Sequence, residues 1–434
     1  MNKKINKIQR GLVGKITVPG DKSISHRSVM LAALGDSPVK IENFLKAADT
    51  LSTVGVMREL GAKIEFSADN VLTVKGNGLC GLKEPQNTLD AGNSGTTLRL
   101  LMGLLAGANI SANFIGDASL SKRPMKRITA PLALMGAKIE TTDGKLPIKI
   151  LKTDKRLKGI EYKMPVASAQ LKSALLLAGL FAEGETKIIE PNISRDHTER
   201  MLAAFGAKIT RENNGVTIKS AEKLSAPENI FVPGDISSAA YFIVAALIIP
   251  CSDLIIENIG VNPTRTGIID ILKEMGANIA LENTRVICGE EIADIHIKYG
   301  ELNGVNIGKE IMGRLIDEIP IIAVAAAFAK GETKISGAEE LRVKETDRIK
   351  AVATSFNKFA EGMITETNDG MIIKGGLDLN YATADSFDDH RMAMSLAILG
   401  AAANGTEIIN AECVNISYPE FYATLYELNN RRTI

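Results

Sequence analysis

A four-residue string that occurs twice, half a chain apart, does most to limit what this sequence can fold into. Val18-Pro19-Gly20-Asp21 returns as Val232-Pro233-Gly234-Asp235, 214 residues later in a chain of 434. Each copy leads into a serine-rich turn and then an apolar helix, over residues 23–34 and 237–248. A finer repeat lies beneath. Leu60-Gly61-Ala62, Met135-Gly136-Ala137, Phe205-Gly206-Ala207 and Met275-Gly276-Ala277 each close a helical pattern and open an Ile-rich run, with their glycines 75, 70 and 70 residues apart. Glycine there suits a helix C-cap, and the runs after it suit strands. A third marker, a turn followed by a strand, recurs six times, at residues 35–41, 107–110, 184–188, 252–256, 331–335 and 405–409. A unit of about 70 residues with two helices and several strands cannot bury both faces alone. Six such units, three in each half, predict two similar α/β domains.

The expected boundaries follow from the duplicated string. If both copies are crossovers, one domain spans 22–232 and the other takes 1–18 together with 236–434. Hinges are then expected near 19–21 and 233–235. Two parallel connections suit a hinge that opens and closes on a ligand.

Charge excludes one class and directs attention to another. Lys and Arg total 51, as do Asp and Glu, so the chain lacks the basic excess of a nucleic-acid binder. Any anionic ligand must meet local clusters of basic residues. The four cysteines have no C-x-x-C spacing, and are expected as four reduced, buried thiols of a cytoplasmic protein. No signal peptide is visible at the N-terminus, and the apolar stretch 239–249 reads as a buried helix, half the length of a membrane span. No membrane partner is expected.

Seven polar segments stand at helix starts. Pro19-Gly20-Asp21-Lys22-Ser23-Ile24-Ser25-His26-Arg27-Ser28 flanks hydroxyls with cations where backbone N–H groups favour anions; the plain alternative is a serine N-cap. Asp90-Ala91-Gly92-Asn93-Ser94-Gly95-Thr96-Thr97-Leu98-Arg99 lets backbone N–H groups approach a phosphate or carboxylate, but has neither P-loop nor dinucleotide spacing. Gly116-Asp117-Ala118-Ser119-Leu120-Ser121-Lys122-Arg123-Pro124-Met125-Lys126-Arg127 reads as an anion clamp or a solvated loop, with Arg123 biased to an extended backbone by Pro124. Ser168-Ala169-Gln170 opens another helix, where capping competes with ligand contact. Nearby, Ser194-Arg195-Asp196-His197 is a dense polar run in which His197 is expected at the surface or in a cap. Asp317-Glu318-Ile319-Pro320 suits a helix dipole or a base that deprotonates a hydroxyl. Leu341-Arg342-Val343-Lys344-Glu345-Thr346-Asp347-Arg348 reads as a salt-bridge ladder or an active cluster. In Asp388-Asp389-His390-Arg391, the arginine opposes the helix dipole, which calls for a local anion. Basic residues at so many helix starts, in a chain of zero net charge, predict a site for multiply anionic small molecules.

These segments together resemble the EPSP synthases. PGDKSISHR, GNSGTTLR, GDASLSKRP, the SAQ turn, DEIP, RVKETDRI and DDHRMA match that family's blocks from about residue 10 to residue 425. The resemblance implies two inverse α/β barrels, each of three ββαβαβ-like units, joined by a two-strand hinge. It implies transfer of the enolpyruvyl group of phosphoenolpyruvate to the 5-hydroxyl of shikimate 3-phosphate, with no metal or organic cofactor, by a monomer. By resemblance, Lys22 touches both substrates. Ser23, Arg27, Ser168, Ala169, Gln170, Arg195, Asp317 and Lys344 line the shikimate 3-phosphate site. Gly95, Arg123, Gln170, Arg348 and Arg391 line the phosphoenolpyruvate site. Asp317 resembles the base at the 5-hydroxyl, and Glu345 the acid–base partner at the enol carbon. Arginine forks suit carboxylate and phosphate. Ala169, Leu100, Glu340 and Ile416 depart from the plant and enteric pattern and point to the family's other major class. Two other readings stay open. One is the related transferase acting on UDP-N-acetylglucosamine, whose loop cysteine is absent between Gly116 and Pro124. The other is a non-catalytic repeat scaffold.

Overall fold

The computed structural model describes residues 1–430. By contacts the chain divides into two units. One comprises 20–233 with 286–290; the other comprises 1–19, 234–285 and 291–434.

In the 20–233 unit the helices are α1 (Lys22–Leu34), α2 (Ala48–Glu59), α3 (Gly95–Gly107), α4 (Lys126–Leu134), α5 (Ala169–Gly179) and α6 (His197–Ala204). In the other they are α7 (Ile236–Ile248), α8 (Gly267–Glu274), α9 (Lys309–Leu315), α10 (Ile319–Ala327), α11 (Arg348–Phe356), α12 (His390–Ala402) and α13 (Phe421–Asn430). Three helices form the centre of each unit: α1, α3 and α5 in one, α7, α10 and α12 in the other. They are almost wholly buried and, beyond the polar residues near their starts, largely apolar on every side, as an interior helix must be. The sheets lie outside them. Lys145–Leu151 alternates exposed and buried along KLPIKIL, so one face meets helices and the other water.

Five of the six turn-strand markers contain the start of a strand, Val39–Glu42, Glu185–Ile189, Asp253–Gly260, Glu332–Ile335 and Thr406–Ile409; the 107–110 marker is the end of α3 and a turn, and its strand, Ala112–Ile115, begins just after it. Five sheets have four strands in one recurring order, in which the marker strand sits between a parallel partner and an antiparallel hairpin. The sixth has three strands, and Lys3–Ile5 takes the hairpin's place beside Thr406–Ile409. Counted from the strand ahead of each central helix, four of the six repeats run βαβαββ; the fifth adds α9 ahead of α10, and the sixth ends in α13 without a closing hairpin. Gly61, Gly136, Gly206 and Gly276 follow α2, α4, α6 and α8 at φ of 96°, 104°, 79° and 96°, the left-handed cap that only glycine adopts freely.

The duplicated string marks an exchange of strands. Val13–Ile16, just before the first copy, pairs in parallel with Asp253–Gly260, beyond the second. Asn229–Phe231, just before the second copy, pairs in parallel with Val39–Glu42, beyond the first. Within the 20–233 unit the Asp21 N–H donates to the Pro233 carbonyl at 2.7 Å; within the other, the Asp235 N–H donates to the Pro19 carbonyl at 2.9 Å.

Two expectations change. Val286–Glu290, which the sequence reading left in the C-terminal half, groups with the 20–233 unit: buried Glu290 bonds His197 there, and the Arg200 guanidinium donates to the Gly289 carbonyl. The cysteines are unpaired but not all buried. Cys80 and Cys251 are exposed, Cys288 is half-buried, and only Cys413 lies in the core. Each of the first two falls in a turn, where no packing claims the thiol. Among the described residues no helix is long and apolar enough to cross a membrane. The 239–249 stretch lies within α7 and its C-cap.

Close approach in the 20–233 core depends on Gly103. A Cβ there would stand 2.0 Å from the Ala174 carbonyl oxygen, so α3 and α5 touch through backbone. Gly103→Ala is expected to cost about 2 kcal/mol or more by forcing the helices apart. A denaturant midpoint equal to that of wild type would contradict this packing.

Candidate functional site

Two polar clusters form at the starts of the central helices, one in each unit. In the 20–233 unit, Asp21 caps α1 by accepting from the Ile24 N–H at 2.8 Å, so the cap is the aspartate and not a serine. This leaves Lys22 to reach Asp49, 2.5 Å away. One turn on, Arg27 is buried and held from three sides. Its Nε donates to Thr198 Oγ1 at 2.6 Å, Nη1 to the Ser23 carbonyl at 2.9 Å and Nη2 to Ser173 Oγ at 2.8 Å. Burial pulls its pKa down to about 10, against the opposing pull of the Glu199 carboxylate.

The glycine-rich turn opens α3. Ser94 caps it through the Thr97 N–H at 3.1 Å. Arg99 donates to Gln170 Oε1 at 2.6 Å, and Gln170 Nε2 donates to Thr96 Oγ1 at 3.0 Å, which joins the starts of α3 and α5. Arg123, extended at φ −76° and ψ 135° before Pro124, donates to Asn93 Oδ1 at 3.1 Å. A Cβ added to Gly95 would lie 3.0 Å from Arg99 Nη1 and 3.5 Å from Arg123 Nη1, so the glycine leaves room beside two guanidinium groups. Ser168 caps α5, accepting from the Leu171 N–H at 3.4 Å, as the plain alternative had it. Ala169 brings no polar side chain, and its carbonyl accepts from Ser173 Oγ at 2.7 Å. Half-buried Arg195 lies just before α6. His197, expected at the surface or in a cap, is the first residue of α6 and lies buried against Glu290 at 2.8 Å.

A chain of hydroxyls ties α1, α2 and α3 together. His26 Nδ1 is 2.7 Å from Thr53 Oγ1, which is 2.6 Å from Thr97 Oγ1, which is 2.7 Å from Ser94 Oγ. Burial pushes the His26 pKa down to about 3 from its ordinary 6.5. As pH falls below 6.5, the unfolded chain binds this proton and the folded one does not until about 3. The contribution is therefore intact above 6.5 and lost below it, with a slope of up to about 1.4 kcal/mol per pH unit. His26→Asn is expected to flatten the loss of stability between pH 6 and about pH 4. An unchanged slope in denaturant melts across that range would contradict it.

In the other unit, the seventh segment supplies the anchor. Asp389 is wholly buried, caps α12 through the Arg391 N–H at 2.9 Å, and binds Arg348 Nε at 2.7 Å. Arg348, 1% exposed at the first position of α11, also meets Glu345 at 2.6 Å and Asp317 at 3.4 Å. Lys344 lies 3.5 Å from Asp317. Arg391 Nη1 donates to the Asp317 carbonyl at 3.0 Å and lies 3.6 Å from Glu318, which supplies the anion its dipole-opposed place called for. Glu318 accepts from Ser237, which accepts in turn from Arg265 at 2.8 Å; Arg265 also binds Asp235 at 2.9 Å. Burial opposes ionisation of Glu345, but Arg348, aided by His390, outweighs it and holds that carboxyl far below its usual range. Burial likewise works against the Arg348 and Arg391 cations, while the carboxylates around them raise both pKa values.

The 341–348 segment divides its charges. Arg342 pairs with Asp347 at 2.9 Å and Glu366 at 2.8 Å, as a ladder would. Lys344, Glu345 and Arg348 turn to the Asp317 cluster. Sequence reasoning gave no role to Asp49, Arg265 or Glu290, and none to Arg99 or Asp389 beyond their segments. Arg99 and Asp389 stood inside quoted motifs, whereas no motif marks the other three.

Two units of buried central helices, one with lysine and arginine among hydroxyls and amides at its helix starts and the other with arginines among carboxylates, make up an enolpyruvyl-transferase fold. The enolpyruvyl transferase NikO from Streptomyces tendae shares that fold, with a TM-score of 0.78 at 19% identity over 98% of this chain and 96% of its own. The chain belongs to the EPSP synthase (3-phosphoshikimate 1-carboxyvinyltransferase) family, whose model matches residues 6–425. It is 51% identical to the 3-phosphoshikimate 1-carboxyvinyltransferase of Thermoanaerobacter sp. (strain X514), over 96% of this chain and 98% of the relative. With that of Bacillus thuringiensis (strain Al Hakam) it shares 52%, over 98% of each. A solved EPSP synthase from Acinetobacter baumannii superimposes with a TM-score of 0.90 at 44% identity, over 98% of each chain.

Proposed function

We propose that this chain transfers the enolpyruvyl group of phosphoenolpyruvate to the 5-hydroxyl of shikimate 3-phosphate, releasing phosphate. The observation that carries the reading is the convergence of Lys344, Arg348 and Arg391 on Asp317, with Glu345 beside them. It sets cations for phosphate and carboxylate next to two groups able to move protons. Arg348 and Arg391 take the phosphoenolpyruvate anion together with Lys22, Gly95, Arg123 and Gln170. Lys22, Ser23, Arg27, Ser168, Ala169, Gln170, Arg195, Asp317 and Lys344 take shikimate 3-phosphate.

Asp317 accepts the hydroxyl proton as the oxygen bonds to C2 of the enol. Glu345 exchanges the proton at C3, adding it as the tetrahedral intermediate forms. Its removal re-forms the double bond as the C2–O bond to phosphate breaks. No step calls for a redox change. The Gly116–Pro124 loop has serines where the UDP-N-acetylglucosamine enzyme carries its cysteine, so that alternative is not favoured. A scaffold would have no use for buried Arg348 at the cost of desolvating it.

The enzyme works as a cytoplasmic monomer in this reading. Exposed, unpaired Cys80 and Cys251 suit a reducing compartment. Light scattering that gave twice the chain mass would overturn the monomer. Phosphate release that needs both substrates tests the reaction. Release with UDP-N-acetylglucosamine in place of shikimate 3-phosphate would overturn it.

A further inference from the structure

A second buried ionic cluster lies in the 20–233 unit and takes no part in the chemistry above. Lys172 on α5 is 1% exposed. Its ammonium sits 2.5 Å from Glu190 Oε1, 2.7 Å from Glu199 Oε1 and 3.2 Å from the Ser194 carbonyl. Glu190 is 5% exposed and Glu199 3%. Such a group is costly to bury, and stability alone is weak grounds for keeping it, since a well-packed apolar replacement often does as well.

Its connections suggest what it does. Glu190 Oε2 accepts from the Ser194 N–H at 3.0 Å, so Glu190 and Lys172 together grip both the N–H and the carbonyl of Ser194. The next residue is Arg195. Asn214 anchors the other end of the same loop: the Glu190 N–H donates to the Asn214 carbonyl at 2.9 Å, and Asn214 Nδ2 donates back to the Glu190 carbonyl. Glu199 is the neighbour on α6 of Thr198, which fixes Arg27 Nε and shares Ser173 Oγ at 2.6 Å. Two carboxylates against one ammonium leave a negative charge, and Arg27 is a buried cation that the Glu199 field favours. The cluster thus holds the residue before Arg195 and lies next to the one that bonds Arg27.

We propose that Lys172, Glu190 and Glu199 are positioning residues that fix Arg195 and Arg27 for the phosphorylated hydroxy-acid substrate. This rests on assigning those two arginines to that substrate. The carboxylates act through the arginines and touch no substrate themselves.

The test uses Glu190→Gln and Glu199→Gln in the full chain. Each is isosteric and leaves Lys172 one carboxylate, whereas Lys172→Met would strand two. Steady-state kinetics should show KM for shikimate 3-phosphate raised about tenfold or more in Glu190→Gln, and less in Glu199→Gln, because small displacements at a binding group are costly. KM for phosphoenolpyruvate and kcat should stay within about twofold of wild type. A fall in Tm with both KM values unchanged would reduce the cluster to a structural role and overturn the inference, as would an equal rise in both. If a variant does not fold, the other decides on the same readout. If neither folds, the cluster is a folding requirement and the inference is overturned. Wild type without turnover would instead refute the substrate assignment.

Discussion

Glu345→Gln is expected to lower kcat by about 10²–10⁴-fold, the range for removing a general acid–base group. The carboxylate is one third exposed and 2.6 Å from Arg348, so it sits at the edge of the cation cluster and not beneath it. Glutamine keeps its shape and can still accept from that guanidinium, but cannot cycle a proton. Binding of phosphoenolpyruvate in the presence of shikimate 3-phosphate should therefore persist, with Kd within about threefold of wild type. Calorimetry and single-turnover phosphate release would separate the two effects. A kcat within about tenfold of wild type would remove Glu345 from the proton path.

Arg348→Met is expected to damage both fold and function. The guanidinium is shared by Asp389, Glu345 and Asp317, and Asp389 has no exposure of its own. Methionine fills much of the volume but leaves a buried carboxylate without its cation, a loss of about 3–5 kcal/mol. Denaturant midpoints should fall accordingly, and the folded fraction should bind phosphoenolpyruvate poorly. The double variant Arg348→Met/Asp389→Asn should recover a large part of the stability and none of the binding. A single variant as stable as wild type would mean that Asp389 finds its compensation elsewhere.

Much of the fold was legible because repetition is a local signal. The six turn-strand markers and four Gly-Ala closures lie in short strings, and all but the 107–110 marker became the element their own residues favour. The helix starts were legible too, since capping depends on residues within one turn. The partners were not. Arg348 meets Asp389 across 41 residues, Arg27 meets Thr198 across 171, and His197 meets Glu290 across 93. Nothing near Asp49 or Arg265 announces that a distant helix start will deliver an opposite charge. His197 looked like a capping residue because the run around it is polar. Its buried partner is Glu290, 93 residues on, which nothing in the run around His197 announces. The exposure of two thiols is hidden for the opposite reason. Cysteine is usually buried, but Cys80 and Cys251 stand in turns.

The exchanged strands around the two Val-Pro-Gly-Asp copies also set an order of assembly during synthesis. The 20–233 unit lacks only Val286–Glu290 once residue 233 has been made, because Asn229–Phe231 completes the sheet begun by Val39–Glu42. Residues 1–19 are made before the strands they pair with and have no sheet to join until Asp253–Gly260 and Thr406–Ile409 emerge. Val13–Ile16 and Lys3–Ile5 must wait, unpaired, while more than two hundred residues fold beside them. An unpaired strand is an invitation to another chain. The lysines at positions 3, 4, 7 and 15 place positive charge along this waiting segment, where it works against the association of one nascent copy with the next.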